Sequence, residues 1–310
     1  MFDLSVVICA HNPRADHLRR ALNSLQQQIL PFEKWEFLLI DNASTDPLVS
    51  SWDLSWHPHA RHISESKLGL SAARQRAIRE ATSDLLVFVD DDNVLDRTYL
   101  TEALSIKEKW PQLGTWGSGS IIPEYEAEPQ PEVQELIPYL AVRKIEKGAW
   151  SNVRSCREAT PWGAGMCVRA AVAEAYCRIN DESKIHISGR RGGGLASDED
   201  VEMSYVACHL GLGMGVFPEL KLTHLIRRER VSRQHLLKLL EASVISGTIL
   251  EYKWTAGVPA SPFRLRNLPA ILKNLVARRG FDRQVYFTRV RASVKAGRII
   301  AAREFGSAGK

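Results

Sequence analysis

The stretch Asp84-Leu85-Leu86-Val87-Phe88-Val89-Asp90-Asp91-Asp92-Asn93 decides how the chain is read. A short run of Leu, Val and Phe has the composition of a strand buried on both faces, as in a parallel sheet. It opens directly onto three consecutive carboxylates. Acids crowded at the mouth of a buried strand repel one another and lose hydration, so a positive partner is expected there. A divalent metal, magnesium or manganese, carrying a phosphorylated ligand meets that need, because both ions take oxygen ligands and share them with substrate phosphates. A solvated acidic turn before the next helix accounts for one or two of the acids and poorly for three.

Outward from this stretch, strands and helices alternate. Residues 4–10 form a second apolar run, stopped by His11-Asn12-Pro13 ahead of a helix whose apolar stripe is Leu18, Leu22 and Leu25. Residues 37–40 form a third, closed by the polar turn that begins at Asp41, and Arg61-His62-Ile63-Ser64 is a further candidate strand. Helices are expected over about 70–81 and 97–110, and a glycine-loosened strand over 114–122. Polar turns at the carboxyl ends of successive strands indicate an α/β fold with an open, mostly parallel sheet flanked by helices, and ligands bind along that edge. Residues 123–138, rich in Pro and Glu, suit an insertion or mobile surface loop. Residues 160–168 are strand-like, with Gly163 and Gly165 where a backbone or ligand can approach closely. The glycine-rich residues 188–197 run into Asp198-Glu199-Asp200, where Asp198 is placed to cap a helix over 199–209. Residues 212–217 and 220–226 read as two short strands. Ser232 then caps a long helix with Leu236, Leu237, Leu240, Val244 and Ile245 on its apolar side.

The 310 residues suit one α/β domain over 1–230 with a helical, basic C-terminal extension over 231–310. From residue 261 onward 12 Lys or Arg face 2 acids, which leaves 29 against 34 before it. The basic character therefore belongs to the tail. Its charges, Arg264, Arg266, Lys273, Arg278 and Arg279 among them, are interleaved with apolar residues, a pattern for helices lying on anionic lipid or for the outer face of packed helices. No recognition motif accompanies the charge, so nucleic acid is not an expected partner. The five cysteines are scattered and lack a Cys-x-x-Cys pair, which suits reduced thiols and no zinc site. With no long apolar run and no signal-peptide pattern, the expected location is the cytoplasm, with the inner face of the membrane as a candidate docking surface.

In their order and spacing these pieces resemble glycosyltransferase family 2, the inverting nucleotide-sugar transferases with a GT-A fold. Residues 5–12, 39–46, 69–78 and 86–93 carry the resemblance, and 163–169 and 197–211 complete it. It implies that Ala10, His11 and Asp41 line the base pocket and that Arg74 reaches the base or a phosphate. It makes Asp90 and Asp92 the family's Asp-x-Asp, with Asp92 the direct metal ligand, Asp91 against ribose, and His224 near the metal and diphosphate. The catalytic base falls in the Glu199-Asp200 pair. Asp200 is the choice, and Glu199 is the alternative or an acceptor-hydroxyl ligand. Arg190 and Arg191 would help hold diphosphate or an anionic acceptor, and their loop would be a lid. The implied donor is a nucleotide sugar, UDP-linked by expectation, and the acceptor a glycan or lipid-linked hydroxyl in cell-surface polysaccharide or glycolipid assembly.

Blander readings stand beside these. Asp41 suits a plain turn, a lone histidine on a strand is ordinarily packed, and acids at a helix start are ordinarily caps. Two rival functions fit some of the same residues. In a haloacid-dehalogenase-like phosphohydrolase Asp90 would be the nucleophile, although that family opens its domain on this strand. A non-catalytic sugar-nucleotide-binding protein would bind donor without turnover.

Overall fold

The computed structural model describes residues 2–183, 185, 195, 198–255 and 268–305. The chain forms two compact units, one of Met1–Glu126, Ala141–Glu182 and Glu199–Ile226, the other of Ala127–Leu140, Ser183–Asp198 and Arg227–Lys310.

In the first unit, β1 (Leu4–Ala10), β2 (Trp35–Asn42), β3 (Ala60–Glu65) and β4 (Leu85–Val89) lie parallel in the order β3-β2-β1-β4. Every residue of β2 and β4 is buried, which is why each contains an unbroken apolar run, residues 37–40 and 85–89, rather than an alternating one. Between them run α1 (Ala15–Gln26), the single turn α2 (Leu48–Ser51) and α3 (Leu70–Glu80). α1 buries Leu18, Leu22 and Leu25, the spacing of one helical face.

After β4 the unit continues through β5 (Asn93–Leu95), α4 (Tyr99–Lys109), β6 (Leu113–Tyr125), β7 (Arg143–Lys144), β8 (Ala149–Ser151), β9 (Met166–Arg169), α5 (Ala170–Glu182), α6 (Glu199–His209) and β10 (Gly213–Ile226). The sheet extends β4-β9-β6-β10-β5. β10 is parallel to β6, and β9 runs antiparallel to both β4 and β6. β5 does not continue beside β4. It crosses to pair antiparallel with β10, so Asp90, Asp91 and Asp92 form the link between two parts of one sheet.

Two expectations are overturned here. Residues 212–217 and 220–226 are one strand, β10, with a register shift between Phe217 and Lys221, where Pro218 cannot donate to the ladder. Residues 123–138 are not a loop. β6 runs to Tyr125, and Pro131–Leu140 form 3-10 turns that bury Val133, Leu136, Ile137 and Leu140. Their i, i+3, i+4, i+7 spacing was masked by the Pro and Glu around them.

The second unit contains those turns, α7 (Arg233–Thr255), α8 (Leu268–Ala277) and α9 (Gly280–Phe305). Ser232 Oγ accepts the His235 N–H at 3.3 Å, capping α7. α7 packs on both α9 and the 3-10 turns, so it buries Leu236, Leu239, Leu240, Ile249 and Leu250 instead of one stripe. Leu237, Val244 and Ile245 are half-buried. Part of the tail's charge is spent internally, Arg291 and Lys295 on Glu241 and Arg278 on Asp282. Arg190, Arg191, Arg264, Arg266 and the glycine-rich loop expected as a lid lie outside the described residues. Among the described residues no helix is long and apolar enough to cross a membrane.

Candidate active site

The turn at the end of β4 is held by Asn93, which is fully buried. Its amide Nδ2 donates to Asp92 Oδ1 at 3.1 Å, and the Asn93 N–H donates to the Asp90 carbonyl at 3.0 Å. The β5–β10 register then sets Asn93 opposite His224, and the Leu225 N–H donates to the Asp92 carbonyl at 2.9 Å. As a result His224 Nε2 lies 3.4 Å from Asp92 Oδ2, with the two side chains 5% and 13% exposed. Two residues 132 positions apart in sequence are thus neighbours because β5 leaves the strand that carries the acids.

Asp90 turns the other way, to Arg74, whose Nη2 lies 3.6 Å from Asp90 Oδ1. Arg74, on α3, is 5% exposed and donates through Nη1 to Glu199 Oε1 at 2.8 Å. Burial works against the guanidinium charge, but the carboxylates of Glu199, Asp90 and Asp200 outweigh it and raise its pKa. Glu199 is 1% exposed and also accepts the Ser71 hydroxyl. It therefore faces Arg74 and Ser71, and Arg74 is paired with both Glu199 and Asp90.

Asp200 is half-buried, with Oδ2 accepting the Gly163 N–H at 2.6 Å and Oδ1 accepting the Val201 N–H at 2.9 Å. A Cβ on Gly163 would stand 2.6 Å from Arg74 Nη2 and 3.2 Å from Asp200 Oδ2, so only glycine brings this backbone so close. Two neighbours were not singled out from sequence. The Arg143 guanidinium stacks 3.6 Å above the Trp162 ring and donates to the Thr160 carbonyl at 3.0 Å. Burial pushes its pKa down to about 10, opposed by Asp200. Trp162 stands beside the glycines that drew attention to its segment, whereas Arg143 belongs to no motif.

Ala10, His11 and Asp41 are brought together by the β1–β2 register, which pairs Ala10 with Asp41. His11 is exposed and its Nδ1 is 2.8 Å from the Asn42 carbonyl, while Ala10 is buried. Asp41 accepts the Ser44 and Leu48 N–H groups at 3.0 and 2.9 Å, so it does shape the turn. Burial would raise its pKa, but these bonds prevail and lower it.

Asp90, Asp92 and His224 do not each place a ligand atom within 4.8 Å of the others. Among the described residues the group that does is Asp16, His17 and Glu126, and there Arg14 already pairs with both carboxylates. The Asp92–His224 pair nevertheless offers an oxygen and a nitrogen donor side by side. Magnesium and manganese accept such partial sets, completing their shell with phosphate oxygens and water.

Residues 5–135 match the sequence model of Glycosyl transferase family 2. Glycosyltransferase AglE of Haloferax volcanii is 27% identical over 105 residues, 33% of this chain and 34% of that protein. The uncharacterized glycosyltransferase YibD of Escherichia coli is 35% identical over 101 residues, 32% of this chain and 28% of that protein. The matched stretch thus spans only 34% and 28% of the length of these curated relatives. Among solved structures, the mannosyltransferase PcManGT from Pyrobaculum calidifontis in complex with GDP-Man and Mn2+ superposes with a TM-score of 0.56 at 16% identity, over 98% of this chain and 87% of that one. S. aureus TarS 1-349 in complex with UDP-GlcNAc gives 0.51 at 14% identity, over 99% and 92%. The shared architecture is the GT-A-like mixed sheet flanked by helices.

Proposed function

We propose, on the match of residues 5–135 to the glycosyl transferase family 2 model, that the chain is a glycosyltransferase of that family and moves a sugar, with inversion, from a nucleotide-sugar donor to a glycan or lipid-linked hydroxyl. The observation that carries this reading is the Arg74 bridge between Asp90 and Glu199. It locks the strand end bearing the Asp-x-Asp acids against the helix bearing Asp200. Donor-side and acceptor-side chemistry are thereby held in one arrangement, which a phosphohydrolase built on Asp90 would not require.

The two solved neighbours were captured with GDP-Man and UDP-GlcNAc, which supports a nucleotide-sugar donor and leaves the base to assay. Ala10, His11 and Asp41 would receive the nucleoside, with Asp91 toward the ribose. Asp92 and His224 would hold a divalent metal, as the Mn2+ in the mannosyltransferase suggests, with Asp90 beside them. The metal, when bound, neutralises charge on the departing diphosphate. Asp200 accepts the proton of the attacking hydroxyl, since inversion needs a single base on the acceptor side. Its carboxylate is aimed by the Gly163 N–H, and Glu199 acts on it indirectly by fixing Arg74. Attachment to the inner face of an anionic membrane belongs to the same reading. Leu272, Val276 and Phe287 are exposed between basic residues of α8 and α9.

The test is acceptor-dependent release of nucleoside diphosphate from a panel of UDP- and GDP-sugars with Mg2+ or Mn2+. Asp200→Asn should lower kcat by roughly 10²–10⁴-fold with donor affinity kept. Undiminished turnover in that variant removes Asp200 as the base, and phosphate release from simple monoesters replaces the transferase with the phosphohydrolase.

A further inference from the structure

A cleft of about 640 Å3 lies in the first unit between α1 and the segment that follows β2, lined by residues outside the donor and acceptor groups described above. Its size falls within the roughly 300–1,000 Å3 usual for small-ligand sites. Trp52 and Trp56 are half-buried on its wall. The Trp56 indole N–H is buried and has no acceptor among the described residues, which the fold alone does not explain. The same lining holds the exposed amides Asn23 and Gln26, each carrying a donor and an acceptor, and Asn12, whose amide is bonded to Thr45 and His11. The charges in the lining are Arg19 against Asp46 and Asp53, a slight excess of acid.

This combination selects its ligand. The acidic excess disfavours a phosphate or diphosphate, so the cleft is not a second donor site. The amides and acids disfavour an acyl chain or an apolar helix, which would strand their hydrogen-bonding groups. A neutral saccharide satisfies both halves of the lining. Its C–H face meets the electron-rich face of an indole, and its adjacent hydroxyls pair with amides. We propose that this cleft binds a neutral stretch of oligosaccharide, as a holding site for acceptor or product glycan. The binding stands on the cleft itself, and only the role as acceptor or product rests on the transferase reading.

The cleft also shares a wall with the nucleoside residues. Asn12 accepts the Thr45 N–H through Oδ1 at 2.8 Å, and its own N–H donates to Ser44 Oγ at 3.0 Å. Ser44 and Leu48 are the residues whose N–H groups Asp41 holds, and Leu48 lines the cleft. A glycan lying here therefore runs beside the donor rather than across the molecule from it.

The experiment is saturation-transfer NMR of the full chain with neutral tetrasaccharides of glucose, mannose, xylose and N-acetylglucosamine, alongside nucleotide-sugar thermal shifts. At least one tetrasaccharide should show saturable transfer to its ring C–H protons. Trp52→Ala should weaken it about fivefold or more without changing the nucleotide-sugar shift. Trp52 packs partly on the core, so Asn23→Ala and Gln26→Ala, both exposed, serve as the second readout and should weaken binding at unchanged melting temperature. No saturable transfer from any of the four, or wild-type binding in all three variants, overturns the proposal. Oligosaccharide binding without any nucleotide-sugar shift would instead overturn the transferase reading and leave the cleft standing.

Discussion

Removing the Arg74 side chain is the most informative perturbation of this molecule. In Arg74→Ala, Glu199, at 1% exposure, keeps its charge requirement but loses the guanidinium bonded to it at 2.8 Å. Breaking a buried pair from one side costs about 3–5 kcal/mol, because an uncompensated charge remains in the interior. Asp90, whose side chain is 30% exposed and 3.6 Å from the guanidinium, adds little to that figure because water screens it. At roughly 2–4 °C per kcal/mol for a domain of 150–250 residues, the melting temperature should fall by about 6–20 °C. The paired replacement Arg74→Met/Glu199→Leu fills the same volume with apolar side chains and leaves no buried charge. It should recover to within about 2 kcal/mol of wild type while turnover stays lost, since Asp90 and α6 are no longer tied together. Denaturant unfolding of the three proteins, with nucleoside diphosphate release measured in parallel, decides the matter. A double variant no more stable than Arg74→Ala, or an Arg74→Ala protein melting like wild type, would refute the buried-pair account.

Three further outcomes follow from individual contacts. Gly163→Ala puts a Cβ 2.6 Å from the guanidinium of Arg74, which is buried and paired with Glu199, so stability should fall by about 1–3 kcal/mol and kcat with it, read by unfolding and product release. His57 is 3% exposed, packed 4.1 Å from the Trp35 ring centroid, and burial, reinforced by His59, pushes its pKa down to about 4. The unfolded chain binds a proton near pH 6.5 and the folded one does not, so stability is lost as pH falls from about 6.5 towards 4, by roughly 3 kcal/mol in all. Urea midpoints at pH 7, 5 and 4 should show the loss, and His57→Phe should flatten it. Chelation with EDTA, or Asp92→Ala, should abolish sugar-nucleotide turnover and the metal-dependent part of the thermal shift produced by the donor.

The parallel half of the sheet was legible because a strand buried on both faces announces itself as an unbroken apolar run, as in β2 and β4. Helices α1 and α3 were legible from their stripes. What composition hid was packing decided by more than one neighbour. The 3-10 turns of Pro131–Leu140 carry a helical spacing inside Pro- and Glu-rich sequence, and α7 divides its buried residues between two partners. In the candidate site the residue types were readable and their pairings were not. Nothing in the order of residues says that β5 abandons β4 for β10, yet that crossing alone puts His224 beside Asp92. Likewise nothing in the order of residues pairs Arg74 with Asp90 and Glu199, between which it is buried.

That burial sharpens the charge argument with which the three acids began. Among the described residues, Asp90, Asp91, Asp92, Glu199 and Asp200 gather where Arg74 and Arg143 are the guanidiniums whose charge is felt or shared. Arg74 is consumed in holding Asp90 and Glu199, and Arg143 is stacked on Trp162. Among the described residues both are thus engaged within the protein, so, Arg190 and Arg191 aside, a donor carrying two or more negative charges would enter a region already acidic. Coulomb repulsion at that range opposes binding unless positive charge arrives with the donor. Asp92 lies beside His224, a metal-ligating type, which is why it is the carboxylate proposed for the metal. Asp200, half-buried and held by the Gly163 N–H, is less enclosed than Glu199, which is the ground for proposing it as the base. The proposed divalent-ion dependence and the proposed choice of Asp200 over Glu199 thus rest on one observation, that the arginine between the acids is already paired.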